Sequence, residues 1–133
     1  LNIIENQEEK ILLDSTIKIA KNLQKKDQKQ KNELIPYFFE EDLVSPDGGD
    51  DYILFQILKT TFAPKNYEAA IKELNKLLGT NASENTLDRA TFYLGQSQYM
   101  LGHFEDSVKT FVKVQTKYPS LTKKWIDAAL EKI

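Results

Sequence analysis

The chain contains no cysteine, so disulfides and thiol chemistry are absent, and cysteine usage says nothing about its compartment. It has one histidine, His103, which excludes by count a multi-histidine metal site and any triad needing a second histidine. No apolar run approaches the roughly 20 residues of a membrane span, so direct membrane insertion is not expected. There is no large excess of one charge: 18 basic against 20 acidic residues give a net charge of −2 at pH 7, which argues against a general nucleic-acid binder. No glycine-rich phosphate loop is present. Proline and glycine are scarce, at 4 and 5 residues, so each marks a break worth reading.

What remains is 133 residues, enough for one domain with its own core, of which 41% are hydrophobic and 29% charged. The chain begins at Leu1 and its last residue, Ile133, falls inside a helical pattern. It is expected to be part of a longer protein, with any signal peptide or anchor lying outside it.

Residues 1 to 31 carry Ile4, Ile11, Leu12, Ile19 and Leu23 at helical spacing and fade into the solvated "KKDQKQK". That basic end could touch an acidic surface, although a soluble helix end explains it more simply. "NELIPYFFEEDLVSPDGGDD", 32 to 51, holds two prolines, two glycines and six acids between Glu40 and Asp51 without a base. It reads as a connector with a short helical turn at Tyr37 to Glu41. From Asp51 onward the period is helical, with breaks at Ala63-Pro64, Gly79 to Asn85, Gly102 and Pro119. This divides the chain into 1–50, a helix and acidic connector packing on the remainder, and 51–133.

The breaks recur. "KNYEAAIKELNKLL" (65 to 78) aligns with "GHFEDSVKTFVKVQ" (102 to 115), pairing Tyr67 with Phe104, Ile71 with Val108 and Leu74 with Phe111 at an offset of 104 − 67 = 37 residues. Each block follows an amphipathic helix, 51 to 62 and 88 to 101. The unit is therefore helix, tight turn, helix, and it occurs twice.

These residues resemble the tetratricopeptide repeat (TPR) family. In 88 to 121, Leu94-Gly95 matches the family's Leu-Gly pair, and Phe111, Val114 and Pro119 match its aromatic, small-apolar and terminal proline positions. Ser107 stands where alanine is usual and Gln98 where tyrosine is usual. In 51 to 83, Ile57-Leu58 replaces Leu-Gly and Ala82 replaces the proline. Trp125, 34 residues after Thr91, opens a third unit in the terminal helix 122–133. The resemblance covers about three fifths of the chain. It implies an all-α fold of antiparallel helix pairs stacked as repeats, preceded by the N-terminal helix and the irregular connector.

Physical reasoning agrees at several points. Gly95 and Ser107 allow two helices to approach closely. Gly102 is expected to end a helix in a left-handed conformation. Phe104 is expected to plug the hairpin, Glu105 and Asp106 to sit in a first helical turn, and Pro119 to stop the second helix. The terminal helix should cover one end of the array, and the 1 to 31 helix the other.

Chemistry is sparse, and no enzyme activity, cofactor or metal is expected. His103 reads as a solvated turn residue. Asp47, Asp50 and Asp51 suggest calcium only superficially, since an EF-hand starting at Asp47 would need acids where Gly49 and Leu58 stand. They read as a polar linker with acids at a helix start. "NAS" at 81 to 83 is a glycosylation sequon that also suits an ordinary loop.

The candidate binding residues form a row: Phe92, Gln96 and Tyr99 at i, i+4, i+7, with Arg89 on the same helix, Phe55, Lys59 and Phe62 each 37 residues earlier, and Ile126 in the last helix. In the repeat family this face lines the concave groove that holds peptides, so the row implies a scaffold binding a segment of another protein. The competing reading is that these aromatics are buried, under the N-terminal helix. "TKYPSLTKKWIDAAL" resembles repeats of bacterial envelope proteins, which implies a periplasmic or membrane-associated setting; a cytoplasmic one is the alternative. A second functional reading is self-association, with the N-terminal helix pairing between chains.

Overall fold

The computed structural model describes residues 34–133. The helix expected over 1 to 31, its capping role, its pairing between chains and the "KKDQKQK" end lie outside these residues. The described residues contain helices and no strand. None of their helices is long and apolar enough to cross a membrane.

Five α-helices follow one another: α1 (Gly49–Ile57), α2 (Tyr67–Leu78), α3 (Glu84–Met100), α4 (Phe104–Val112) and α5 (Pro119–Glu131). Each packs on the next in chain order; α3 also touches α1 and α5. Residues 34–48 are irregular apart from a single 3-10 turn at Glu40–Asp42, slightly later than the turn expected at Tyr37 to Glu41.

α1 runs without interruption into a π-helical turn, Leu58–Phe62. Thr60 and Thr61 donate their hydroxyls to the Gln56 and Ile57 carbonyls at 2.7 and 2.6 Å, which loosens the local ladder. Pro64 has no N–H to donate, and the Ala63 N–H closes on the Leu58 carbonyl, five residues back, at 2.8 Å.

The two tight turns have the same geometry. Lys65 (φ 67°) and Gly102 (φ 81°) are both left-handed and lie 37 positions apart. At Gly102 the helix closes with the Gly102 N–H on the Tyr99 carbonyl and the His103 N–H on the Gln98 carbonyl, both at 2.9 Å. His103 is exposed at the N-cap of α4, and Glu105 and Asp106 occupy its first turn. Phe104 is half-buried, its ring 5.2 Å from that of Tyr99.

Several boundaries differ from expectation: α1 begins at Gly49 rather than residue 51, and the terminal helix spans Pro119–Glu131 rather than 122–133. α3 begins at Glu84 rather than residue 88, because Ser83 caps it by accepting the Thr86 N–H at 3.3 Å. Pro119 does not stop α4, which already ends at Val112. It opens α5 instead, since its fixed φ and missing N–H suit a first helical position.

The core forms where α3 is enclosed by its neighbours. Gly95 makes this possible: a Cβ there would lie 2.8–2.9 Å from the Phe111 ring. Ser107, fully buried, donates its hydroxyl to the Gly95 carbonyl at 2.9 Å. Phe111, Val114, Leu94 and Trp125 are buried around this contact.

Candidate functional site

The expected binding row is not an open surface. Phe55, Phe62, Phe92, Gln96 and Tyr99 are buried, Arg89 is 4% exposed, and Lys59 and Ile126 are half-buried. Among the described residues, the cover over α3 is the connector, residues 34–42; the N-terminal helix that the sequence suggested as a cover lies outside them. The acidic stretch, read as a linker, packs on the helices with its aromatic half.

The segment descends along α3. Tyr37 meets Gln96, Phe39 meets Tyr93, and Asp42 meets Arg89, so successive contacts step back three and four residues along one helical face. Gln96 uses both ends of its side-chain amide. Its Oε1 accepts the Tyr37 N–H at 2.6 Å, and its Nε2 donates to the Tyr37 carbonyl at 2.9 Å. The Tyr93 hydroxyl accepts the Phe39 N–H at 2.8 Å and donates to Asp42 Oδ2 at 2.7 Å. The extended conformation of Phe39 (φ −66°, ψ 145°) matches this pairing.

Aromatic packing fills the space between these polar ties. The Phe39 ring lies 4.8 Å from Tyr118, 5.4 Å from Phe92 and 5.6 Å from Tyr93. Phe38 turns the other way, 5.2 Å from Phe62. The segment thus reaches from Phe62, in the π-helical turn after α1, across α3 to Tyr118, the N-cap of α5.

Arg89 closes the lower end. Its Nε donates to Asp42 Oδ2 at 3.1 Å and Oδ1 at 3.3 Å, and its Nη2 donates to Asp51 Oδ1 at 2.6 Å. Glu41, 4.0 Å away and exposed, adds little. Asp51 also accepts the Thr86 hydroxyl at 2.7 Å, and Asp50 accepts the Ser83 N–H at 3.0 Å. The acids at the start of α1 therefore hold the start of α3, and no group of acids among the described residues is arranged for a metal ion.

Burial sets the ionisation of this cluster. It pushes the Asp42 carboxyl above its ordinary range, against the opposing pull of the Tyr93 hydrogen bond and the Arg89 charge. Burial also lifts the Tyr93 phenol well above its ordinary value, and Asp42 adds to this. Tyr118 is pushed up to about 12, chiefly by burial. At Arg89 burial works against the charge, but the Asp51 hydrogen bond and Asp42 outweigh it and raise its pKa. The more exposed Asp51 is held below its ordinary range, first by the Thr86 hydrogen bond and then by that of Arg89.

Sequence reasoning placed Arg89, Gln96 and Phe92 on one face for a partner and did not single out Tyr93 or Asp42; here that face meets the chain's own residues 37–42. Tyr93 lies four residues after Arg89 and three before Gln96, so extending the stripe would have reached it. A buried arginine also requires an acid, and Asp42 is in the acid-rich connector. Comparison with family models, curated proteins and solved structures finds no match for the chain.

Proposed function

We propose that this chain is a non-enzymatic protein–protein interaction module, a TPR-like helical-repeat scaffold that holds a segment of a partner protein. One observation carries the reading: the face of α3 already holds a polypeptide segment that is extended at Phe39 and turns at Glu40–Asp42, with a side-chain amide on its main chain and an arginine on its acid. The two turns that repeat at a 37-residue offset support stacked repeats built on one plan. A net charge of −2 favours a protein partner over nucleic acid. A bacterial cell-envelope assembly is the setting we propose, supported by the resemblance of residues 116–130 to envelope repeats. The Arg89, Tyr93 and Asp42 groups satisfy one another, which suits a structural clasp rather than catalysis.

Photo-crosslinking tests this reading. A benzophenone amino acid placed at Lys59 or Ile126, at the edges of the face, should form an adduct with another protein in the source cell. The same group at Lys76, on α2, serves as the control. Adducts only at Lys76, or none, would overturn the reading. Adducts with a second copy of this chain would favour self-association.

A further inference from the structure

The connector is held on α3 as a ligand is held. Gln96 grips the main chain of Tyr37 from both sides, a mode of recognition available to any extended polypeptide. Selectivity comes from two other places. One is the ring slot between Phe92, Tyr93 and Tyr118, filled by Phe39. The other is the carboxylate slot made by Arg89 Nε and the Tyr93 hydroxyl, filled by Asp42.

This carboxylate slot does not depend on the connector for its position. Arg89 is also held by Asp51 of α1, through Nη2 at 2.6 Å. If residues 37–42 moved away, the guanidinium would keep that tie and present Nε to an incoming acid. The link from the segment to α1, residues 43–48, makes only local hydrogen bonds among the described residues: Leu43 N–H to Glu40, and Ser45 to Pro46. Val44 within it is 60% exposed. The segment can therefore lift without unwinding α1.

Phe39 and Asp42 fill their slots, but among the described residues the segment is looser beside them: Tyr37 and Phe38 are half-buried, and an open apolar pocket of about 30 Å³ remains between Ile35, Phe38, Phe62 and Tyr67. A tethered segment competes at an effective concentration in the millimolar range for a short linker. An imperfectly fitting occupant can be displaced by a better one.

We infer that this face binds, in trans, a partner segment of the pattern aromatic–x–aromatic–x–x–carboxylate, extended at the aromatics and closed into a 3-10 turn at the carboxylate, and that Tyr37–Asp42 is its resident competitor. The inference rests on the interaction reading above and names the chemistry of the partner. Binding then requires exchange, so apparent affinity falls by the fraction of molecules in which the face is open.

The test uses the full chain and a synthetic peptide, IPYFFEEDL, identical to residues 35–43. Fluorescence anisotropy of the labelled peptide should show binding to Phe39→Ala and Tyr37→Ala at least tenfold tighter than to the natural chain, because each weakens the resident segment. A control peptide with alanine at the Phe39 and Asp42 positions should bind at least tenfold more weakly. Circular dichroism reports whether each variant is folded. A measurement on the natural chain stands independently of the variants: millimolar peptide should accelerate hydrogen exchange at the Tyr37 and Phe39 amides, because exchange of segments frees both from Gln96 and Tyr93. An unchanged exchange rate, or equal affinity for the control peptide, would overturn the inference. If hydrogen exchange is unchanged while Lys59 and Ile126 still crosslink a partner, the assigned chemistry falls and the interaction reading stands. If the peptide exchanges but no partner crosslinks, the interaction reading falls instead.

Discussion

Gln96, fully buried in the middle of α3, holds the main chain of Tyr37 by both its N–H and its carbonyl, 59 residues away in sequence. The pairing resembles one rung of a β-ladder in which a side-chain amide replaces the second strand. It converts a helix face into a seat for extended chain.

Replacing this amide by a side chain of similar volume isolates the pairing. Gln96→Met should leave two main-chain groups of Tyr37 unpaired and destabilise the protein by about 1–3 kcal/mol. The Tyr37 amide should lose its hydrogen-exchange protection first. An unchanged exchange rate at Tyr37 would show that the pairing does not hold the segment.

The aromatic row is core, so its removal should be costly. Phe92 touches the rings of Tyr37, Phe39, Phe111, Tyr118 and Trp125, and Tyr99 packs on Phe104 and Trp125. Phe92→Ala alone should cost about 3–5 kcal/mol, and adding Tyr99→Ala should leave the domain unfolded or close to it. Thermal unfolding followed by circular dichroism decides this; a double variant melting within a few degrees of the natural chain contradicts the buried arrangement.

Gly95→Ala should destabilise although alanine is the better helix former. Its Cβ would fall 2.8–2.9 Å from a Phe111 ring that is itself wedged against Phe92 and Trp125. Overpacking of this kind costs about 1–3 kcal/mol, more than the roughly 1 kcal/mol gained in helix propensity. A rise in denaturation midpoint would show that α4 yields freely.

The two left-handed turn positions should respond in opposite directions. Lys65 pays a steric cost at φ 67°, and Lys65→Gly should stabilise by about 0.5–1 kcal/mol once the greater unfolded-state freedom of glycine is subtracted. Gly102→Val places a β-branched residue at φ 81° and should destabilise. Urea midpoints for the two variants provide the check, and shifts of the same sign would contradict the shared geometry.

The Asp51 carboxyl predicts a pH signature. Its folded pKa lies below the unfolded value, so its contribution to stability is present above about pH 4, the unfolded carboxylate range, and is lost as pH falls through the folded value. Asp42, shifted the other way, contributes a term that weakens as pH rises, so the total curve mixes the two. Comparison with Asp51→Asn removes that mixing. The stability difference between natural chain and variant should be constant near neutrality and shrink toward pH 2. A difference independent of pH would show that Asp51 is not the coupled group.

The helical character of 51–133, the 37-residue offset and the left-handed Gly102 were legible in the sequence because each depends on neighbours within a turn or two. Apolar period, a breaker and the missing Cβ of glycine act locally. The burial of the Phe55, Phe62, Phe92 and Tyr99 row was not legible. Spacing shows that residues share a face but not what lies over that face. Over Phe62 and Phe92 the cover is "YFFEED", part of a stretch whose prolines, glycines and acids read as linker, yet whose Phe39 and Asp42 find hydrogen-bond partners more than 50 residues away on α3, while Tyr99 packs on Phe104 and Trp125. Pro119 shows the same limit on a smaller scale: proline forbids a helix interior but is equally at home after one helix or at the start of the next. The sequence alone determined the elements and their faces, since those follow from short-range sterics and periodicity. Only the tertiary structure decided which segment occupies the face, because that depends on long-range pairing of a buried amide, a phenol and an arginine with one particular stretch of main chain.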